Sequence, residues 1–526
     1  MSGSGGGSVR WLAVAVVWLA IFGAAALAYK YLVAPRFRQQ AQLEEEQRKQ
    51  QTLDQTSSNA RDLRTIRLSL DSFSGYAIFR DAAFKKSLQA KGINLETVDD
   101  QANYTARLEQ LKNGRAPLAV FTIDALLKTS AAMNDLPGTI VLVLDETTGA
   151  DAVVAYQQAV PNIDALNQPD ARFVATPDSP SDTLARVITA RFSLPQLPDN
   201  PFLPANGAED ALKQFQSANP ADPRAYVLWE PFVSKALENP QAHVLIDSSK
   251  VRGYIVDVLV VQREFLLNNR NDVRTIIEAY LRANFDRHGK PPGMMELVLA
   301  DAQQTGTPVT RPQAEQLVKG IWWKNTTENF AHFGLLEDSG GLQHLDGMIR
   351  NINDVLIKTG AMPADPTDGQ PNKLYYDKIL AALQAAHWHP GLSGQADEKT
   401  RATLALRKLS DDEWNKLKPV AAVAAESLVF RPGTSTLMGQ SERKLTELAA
   451  TLETFPQYYL VVQGNARSDG DAEANRQLAE DRAQAAAEFL LGENIPADRI
   501  RAIGLPPGDA SGESQTVTFI LGELPY

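Results

Sequence analysis

The chain has 526 residues, enough for two or three domains with separate cores, and a formal net charge of -11. That acidic balance leaves no basic stripe for a nucleic-acid surface. With no cysteine at all, disulfides, thiolate zinc sites and cysteine nucleophiles are excluded together.

Trp11 to Tyr29 holds no charged residue. As a helix rising ~1.5 Å per residue it would span roughly 28 Å, enough to cross a bilayer core. Arg10 precedes it, Trp11 and Trp18 lie near its start, and Tyr29 and Tyr31 at its far end suit an interfacial belt. Residues 1–33 are therefore predicted to be a single-pass inner-membrane anchor with the bulk of the chain in the periplasm. Lys30, Arg36 and Arg38 by themselves favour the opposite orientation, and Ala24-Ala-Ala-Leu-Ala28 also permits a cleaved export signal. Residues 34–61, rich in Gln, Glu and Arg without a sustained heptad seam, read as a polar tether.

From 62 to 390, strand-like and helix-like segments alternate, the pattern of an α/β fold. The strand-like runs are Ile66–Leu70, Leu95–Val98, Leu118–Thr122, Ile140–Leu144, Arg172–Ala175, Tyr226–Trp229, Val244–Ile246 and Ile255–Val261. Several segments stand out along this order: Ser72-Phe-Ser-Gly-Tyr76, Leu111-Lys-Asn-Gly114, Phe121-Thr-Ile-Asp-Ala125, Thr148-Gly-Ala-Asp151, Trp229-Glu-Pro-Phe232 and Tyr254-Ile-Val-Asp-Val-Leu-Val-Val261. In this succession the region resembles type 2 periplasmic solute-binding proteins of the nitrate, sulfonate and taurine group, which serve ABC transporters. The resemblance implies a two-lobed domain with a small anionic solute held between the lobes at strand ends and helix N-termini. Carried over, it places Ser72, Phe73, Thr122, Asp124, Thr148, Gly149, Ser179, Ser181, Trp229 and Glu230 at the cleft. Ser181 or Asp182 can cap the helix after Ser179, Asp124 and Asp182 are equally explained as N-caps alone, and Trp229 as core. An ABC permease or another inner-membrane complex is the implied partner.

Residues 391–425 read as a helical linker. After it, Leu428-Val-Phe-Arg-Pro-Gly433 opens as a strand, and two amphipathic helices follow, one after Ser441 and one carrying Leu478, Arg482, Ala486 and Leu490. The run Gly464-Asn-Ala-Arg-Ser-Asp-Gly470, with Asn475 and Arg482 at fixed spacing, resembles the core of an OmpA-like domain, the module that holds envelope proteins to peptidoglycan. In that family an Asp stands eight residues before the Asn and fifteen before the Arg; it receives the ammonium of diaminopimelate while the Arg pairs with its carboxylate. Here that position is Arg467, which repels the ammonium. The resemblance thus implies an α+β fold over 426–526, with a site at Asn465, Arg467, Asp469, Asn475 and Arg482, and puts peptidoglycan binding in doubt. Asp469 or Asp471 is a candidate substitute acid.

No nucleophile elbow, phosphate loop or His-Glu-x-x-His is present, and His387 and His389 do not share a helix face. No enzyme, cofactor or metal is expected. The overall expectation is α/β, with an N-terminal transmembrane helix, a two-lobed periplasmic-binding-protein fold and a C-terminal OmpA-like domain. The alternative is an envelope scaffold that binds no solute.

Overall fold

The computed structural model describes residues 63–525 apart from 290–292, 338, 340, 392–405, 468–469 and 507–515. The expected anchor and tether lie outside the described residues. Fifteen strands are described: β1 Arg64–Leu70, β2 Ile93–Asp99, β3 Leu118–Thr122, β4 Gly138–Thr147, β5 Asp151–Tyr156, β6 Arg172–Ala175, β7 Phe202–Pro204, β8 Arg224–Trp229, β9 Ala242–Asp247, β10 Val256–Gln262, β11 Ile321–Trp323, β12 Lys418–Ala422, β13 Tyr459–Asn465, β14 Ile500–Leu505 and β15 Val517–Glu523. The helices that matter below are α1 Ile123–Met133, α2 Pro180–Arg191, α3 Arg270–Gly289, α4 Leu345–Lys358, α5 Gly439–Glu453 and α6 Ala472–Gly492.

The strands form three sheets, ordered β2-β1-β3-β10-β4-β11, β7-β6-β8-β5-β9 and β12-β15-β13-β14. The first two share a plan. In each, a strand arriving from the other lobe is inserted antiparallel between the third and fourth strands: β10 lies between β3 and β4, and β5 between β8 and β9. Such central strands are covered on both faces, so they carry continuous apolar runs rather than alternation, as in Val141-Leu-Val-Leu144 and Val258-Leu-Val-Val261, all buried. The chain crosses between lobes twice, through Thr148–Ala150 and through Ser248–Ile255, which are tied together by the Ser248 hydroxyl accepting from Gly149 N at 2.8 Å. Both lobe sheets therefore present one edge, built from strand ends, to the same seam.

The third sheet packs α5 and α6 on one face. Strand β12 joins it from the stretch expected to be helical; among the described residues of 391–425 the helix is the single turn Asp411–Trp414. The Leu428–Gly433 stretch makes only an isolated bridge, Phe430 to Leu437, rather than a strand, because Pro432 removes a donor where the ladder would run.

Residues Thr65–Tyr526 make up one unit. The C-terminal domain is fastened to the second lobe by a backbone bridge between Phe192 and Val423, with Ser193 N donating to Ala422 O at 2.9 Å and Ala424 N to Arg191 O at 2.7 Å. Phe192 also packs on Phe455 with ring centroids 5.4 Å apart. The crossover segment is gripped as well: Arg252 N donates to Thr454 O at 2.7 Å, and Lys250 reaches Glu523 at 3.4 Å. Against the first lobe the fit is looser. Glu453 and Pro456 face Trp322, His332 and Gln343 across a cavity of about 30 Å³, room for about one or two waters.

Two glycines set how closely α6 sits on its sheet. A Cβ on Gly464 would lie 1.9 Å from the Ala479 carbonyl oxygen, and one on its parallel partner Gly504 would lie 2.8 Å from Arg476 O. Both neighbours are helix backbone, which cannot swing aside. Gly464→Ala is expected to force α6 off the sheet at a cost of about 3 kcal/mol, the upper end for overpacking. Urea denaturation of the full chain checks this; a midpoint equal to the parent's would show that the strand and helix can part freely.

Candidate functional site

The loop after β1 is the best-fixed part of the seam. Arg107 is fully buried and donates to Asp100 at 2.7 Å, to Asp71 Oδ2 at 2.9 Å and to Val120 O at 2.5 Å. Arg80, itself paired with Asp301 at 2.6 Å, donates to Asp71 O and Phe73 O at 2.6 and 2.7 Å. Two guanidinium groups thereby hold Asp71, Ser72 and Phe73 at the sheet edge, and the Phe73 ring stands edge-on to Tyr76 at 5.3 Å.

Thr122 ends β3 and is 2% exposed; Asp124, in the first turn of α1, is 1% exposed. Asp124 is not a cap. It reaches across the seam, where the Thr183 hydroxyl of α2 donates to Asp124 Oδ2 at 2.5 Å. Lys128 lies 3.5 Å from Asp124 and, on the opposite lobe, 3.6 Å from Asp178 and 3.8 Å from Asp182. Further latches join α2 to α4: Arg191 to Asp354 at 2.6 Å, and Arg186 to Thr359 O at 3.0 Å. The two lobes therefore meet directly here.

Ser179, rather than Ser181 or Asp182, caps α2, accepting from Asp182 N at 3.3 Å. The cap frees Ser181 to face Asp151 at 3.5 Å and Asp182 to pair with Arg186 at 2.8 Å. Gly149, with φ at 111°, turns the chain at the crossover, and Thr148 beside it is half-buried. Trp229 is the cross-strand partner of Asp151, so the two side chains project from the same face of the sheet. Glu230 stands apart: its carboxylate accepts from Ser234 N and the Ser234 hydroxyl at 3.3 and 3.0 Å, a local helix-end contact.

Polar atoms without a protein hydrogen-bond partner gather at this edge. They are Thr122 Oγ1, Asp124 Oδ1, Lys128 Nζ, Thr148 Oγ1, Thr176 Oγ1 and both oxygens of Asp145. Buried polar groups are nearly always satisfied, so these atoms call for ordered water or a ligand as partner.

Three carboxylates that sequence reasoning did not assign to the site lie here. Asp145 and Asp257 are direct partners on β4 and β10, both buried, and the Tyr76 hydroxyl donates to Asp257 at 2.5 Å. Burial pushes both upward, and the Asp145 charge lifts Asp257 well above the carboxylate range. Asp151 is pushed up to about 7 by burial, aided by Asp124 and opposed by the Ser181 hydroxyl. The Asp145–Glu146 dipeptide was visible in the chain, but its members diverge: Glu146 turns away to Lys324 at 2.6 Å. Only the antiparallel register brings Asp257 to Asp145. Of the basic groups along this edge, Arg107 is hydrogen-bonded to Asp71 and Asp100, whereas Lys128 stands near three carboxylates without a hydrogen bond to any of them.

In the C-terminal domain, Asn465 donates to Thr516 Oγ1 at 2.8 Å, and Asn475 donates to Arg467 O at 3.4 Å. Arg482 donates to Thr434 O at 3.0 Å and stacks over Phe430 with its guanidinium 5.0 Å from the ring centre. Burial, then the nearby Arg467 charge, lower the Arg482 pKa. Two cations thus share the site. Asp471 caps α6, accepting from Ala474 N at 2.8 Å, and Asp469 lies outside the described residues.

The paired sheets, each with a strand lent by the other lobe, define a two-lobed binding-protein architecture joined to an OmpA-like domain. A family model described as OmpA family matches residues 429–512. The peptidoglycan-associated lipoprotein of Mesorhizobium japonicum is 30% identical over 135 residues, 26% of this chain and 80% of that protein. The chain therefore belongs, through its C-terminal domain, to the OmpA family. The namesake protein of Brucella melitensis is 30% identical over 78 residues, 15% of this chain, and the chain spans about half of that relative's length, 46%. Among solved structures, the periplasmic aliphatic sulphonate binding protein of Escherichia coli aligns at 14% identity and TM-score 0.45, covering 60% of this chain and 99% of that one. The periplasmic nitrate-binding protein of Synechocystis PCC 6803 aligns at 11% identity and TM-score 0.44, covering 62% and 89%.

The raised Asp151 carboxyl gives a stability signature. Unfolded, the group titrates at ~3.9; folded, at about 7. Between those values the folded chain keeps a proton the unfolded chain has lost, so the contribution of Asp151 is most favourable near pH 4, declines as pH rises and is lost above 7. Asp151→Asn cannot ionise. Its stability relative to the parent should rise from pH 5 to pH 8 by on the order of a few kcal/mol, read as urea midpoints at the two pH values; an equal difference at both would refute the raised carboxyl.

Proposed function

We propose that this protein is an envelope solute-binding protein whose two lobes close on a small polar solute, carrying an OmpA-like domain that docks to another envelope component. The observation that carries this reading is the gathering of unpartnered polar atoms at Thr122, Asp124, Asp145, Thr148 and Thr176, contributed by strand ends of both lobes. Strand ends facing a crevice are where such folds hold ligands. Ser72, Phe73, Gly149, Ser179, Ser181 and Trp229 shape the surrounding wall. An ABC permease or a sensing complex of the inner membrane would receive the loaded lobes, with residues 1–33 as the anchor.

The scaffold reading has one observation in its favour: the lobes are already latched to each other by side chains, Asp124 to Thr183 and Arg191 to Asp354. Native mass spectrometry of the full chain in mild detergent separates the two, since a binding protein retains a bound small molecule. Thr122→Ala should weaken that binding by roughly 1.5–3 kcal/mol, the worth of a hydrogen bond to a charged group. Full affinity in this variant would place the solute elsewhere.

For the C-terminal domain, Arg467 beside Arg482 repels an incoming ammonium, so retention on purified peptidoglycan sacculi should be weak. Arg467→Asp should raise the retained fraction severalfold. Strong retention of the parent chain, lost in Asp469→Ala, would instead make Asp469 the working acid.

A further inference from the structure

We propose that the solute taken between the lobes is an organic cation, bearing an ammonium or amidinium group, rather than an anion; this rests on the solute-binding reading above. Four acidic side chains lie along the seam, in two pairs: Asp145 beside Asp257, and Asp151 near Asp124. Asp124 comes from α1, Asp145 and Asp257 from neighbouring strands of the first lobe, and Asp151 from the first strand of the second lobe. All four are buried, with relative exposures of 1%, 0%, 1% and 6%.

The positive charge nearby is set among carboxylates. Arg107 is enclosed by Asp71 and Asp100, and Lys128 stands among Asp124, Asp178 and Asp182. An anion entering here would find one buried ammonium with free donors, Lys128 Nζ, but would find it surrounded by three carboxylates, whereas a cation finds acceptors. Asp124 Oδ1 and both Asp145 oxygens have no protein donor, and the hydroxyls of Thr122, Thr148 and Thr176 can accept as well as donate.

The apolar lining agrees with an alkyl-substituted cation. A Cβ on Gly75 would fall 2.4 Å from the Phe73 ring edge and 2.8 Å from Asp145 Oδ2, so an aromatic ring and a carboxylate oxygen sit side by side against that glycine. Across the seam Trp229 shares a sheet face with Asp151. Carboxylates interleaved with aromatic rings attract a desolvated ammonium through both charge and ring quadrupole. Glycine at position 75 is required by this arrangement, since any side chain would separate the ring from the carboxylate.

The test is calorimetric titration of the full chain in mild detergent, freed of bound material by mild denaturation and refolding, with tetramethylammonium, putrescine and argininamide as cationic probes. Ethanesulfonate, nitrate and inorganic phosphate serve as anionic probes. The proposal expects saturable binding of at least one cation, weakened tenfold or more by Asp124→Asn, and none of the three anions. Asp145→Asn is the second variant, should Asp124→Asn fail to fold. Cation binding that both variants leave unchanged would be screening of the acidic surface and would overturn the proposal. Saturable binding of an anionic probe, weakened by Thr122→Ala, would overturn the cation assignment while leaving the solute-binding reading intact. Failure of every probe, together with a lack of any small molecule retained in native mass spectra, would remove both.

Discussion

The Arg107 guanidinium organises the site. It ties together the loop after β1 through Asp71, the loop after β2 through Asp100 and the end of β3 through the Val120 carbonyl. Burial works against its charge, and the hydrogen bonds and fields of Asp100 and Asp71 more than offset this. A buried ion group of this kind adds little net stability over an apolar substitute, but it cannot lose one member cheaply, because the others would remain charged and dry. Its value is positional. Two loops that hydrophobic contacts alone would leave free to shift are held to strand β3 in one geometry at the edge where the lobes meet.

That geometry has an electrostatic consequence. With Arg107 and Lys128 each facing carboxylates, the remaining carboxylates at the seam set its sign. Burial raises the Asp145, Asp257 and Asp151 carboxyls towards their neutral forms, which limits the self-repulsion without removing it. The strands make this tolerable: backbone ladders on both sides of β4 and β10 fix the two aspartates whatever their charge.

Much of this was readable from the chain. The central strands announce themselves by continuous apolar runs, and the Gly464 region by its spacing to Asn475 and Arg482. What escaped depends on tertiary register. Asp257 sits in an apolar strand far along the chain from Asp145, with no local motif to mark it, and only pairing with β4 sets it opposite Asp145. Strand β12 escaped because Lys418-Pro-Val-Ala-Ala422 is short and alanine-rich, a composition that favours helix until a sheet edge claims it. Asp124 looked like a cap because capping is a local property, whereas its actual partner Thr183 belongs to the other lobe.

The grip of the C-terminal domain on the crossover segment has a mechanical meaning. Any change in the angle between the lobes must twist residues 248–255, and this same segment is bonded through Arg252 N to the end of α5 and through Lys250 to β15. The domain is strand-paired to the second lobe and faces the first across a small cavity. A tug on the domain would therefore be borne by one of the two segments that join the lobes, so lobe angle and domain position are coupled through it.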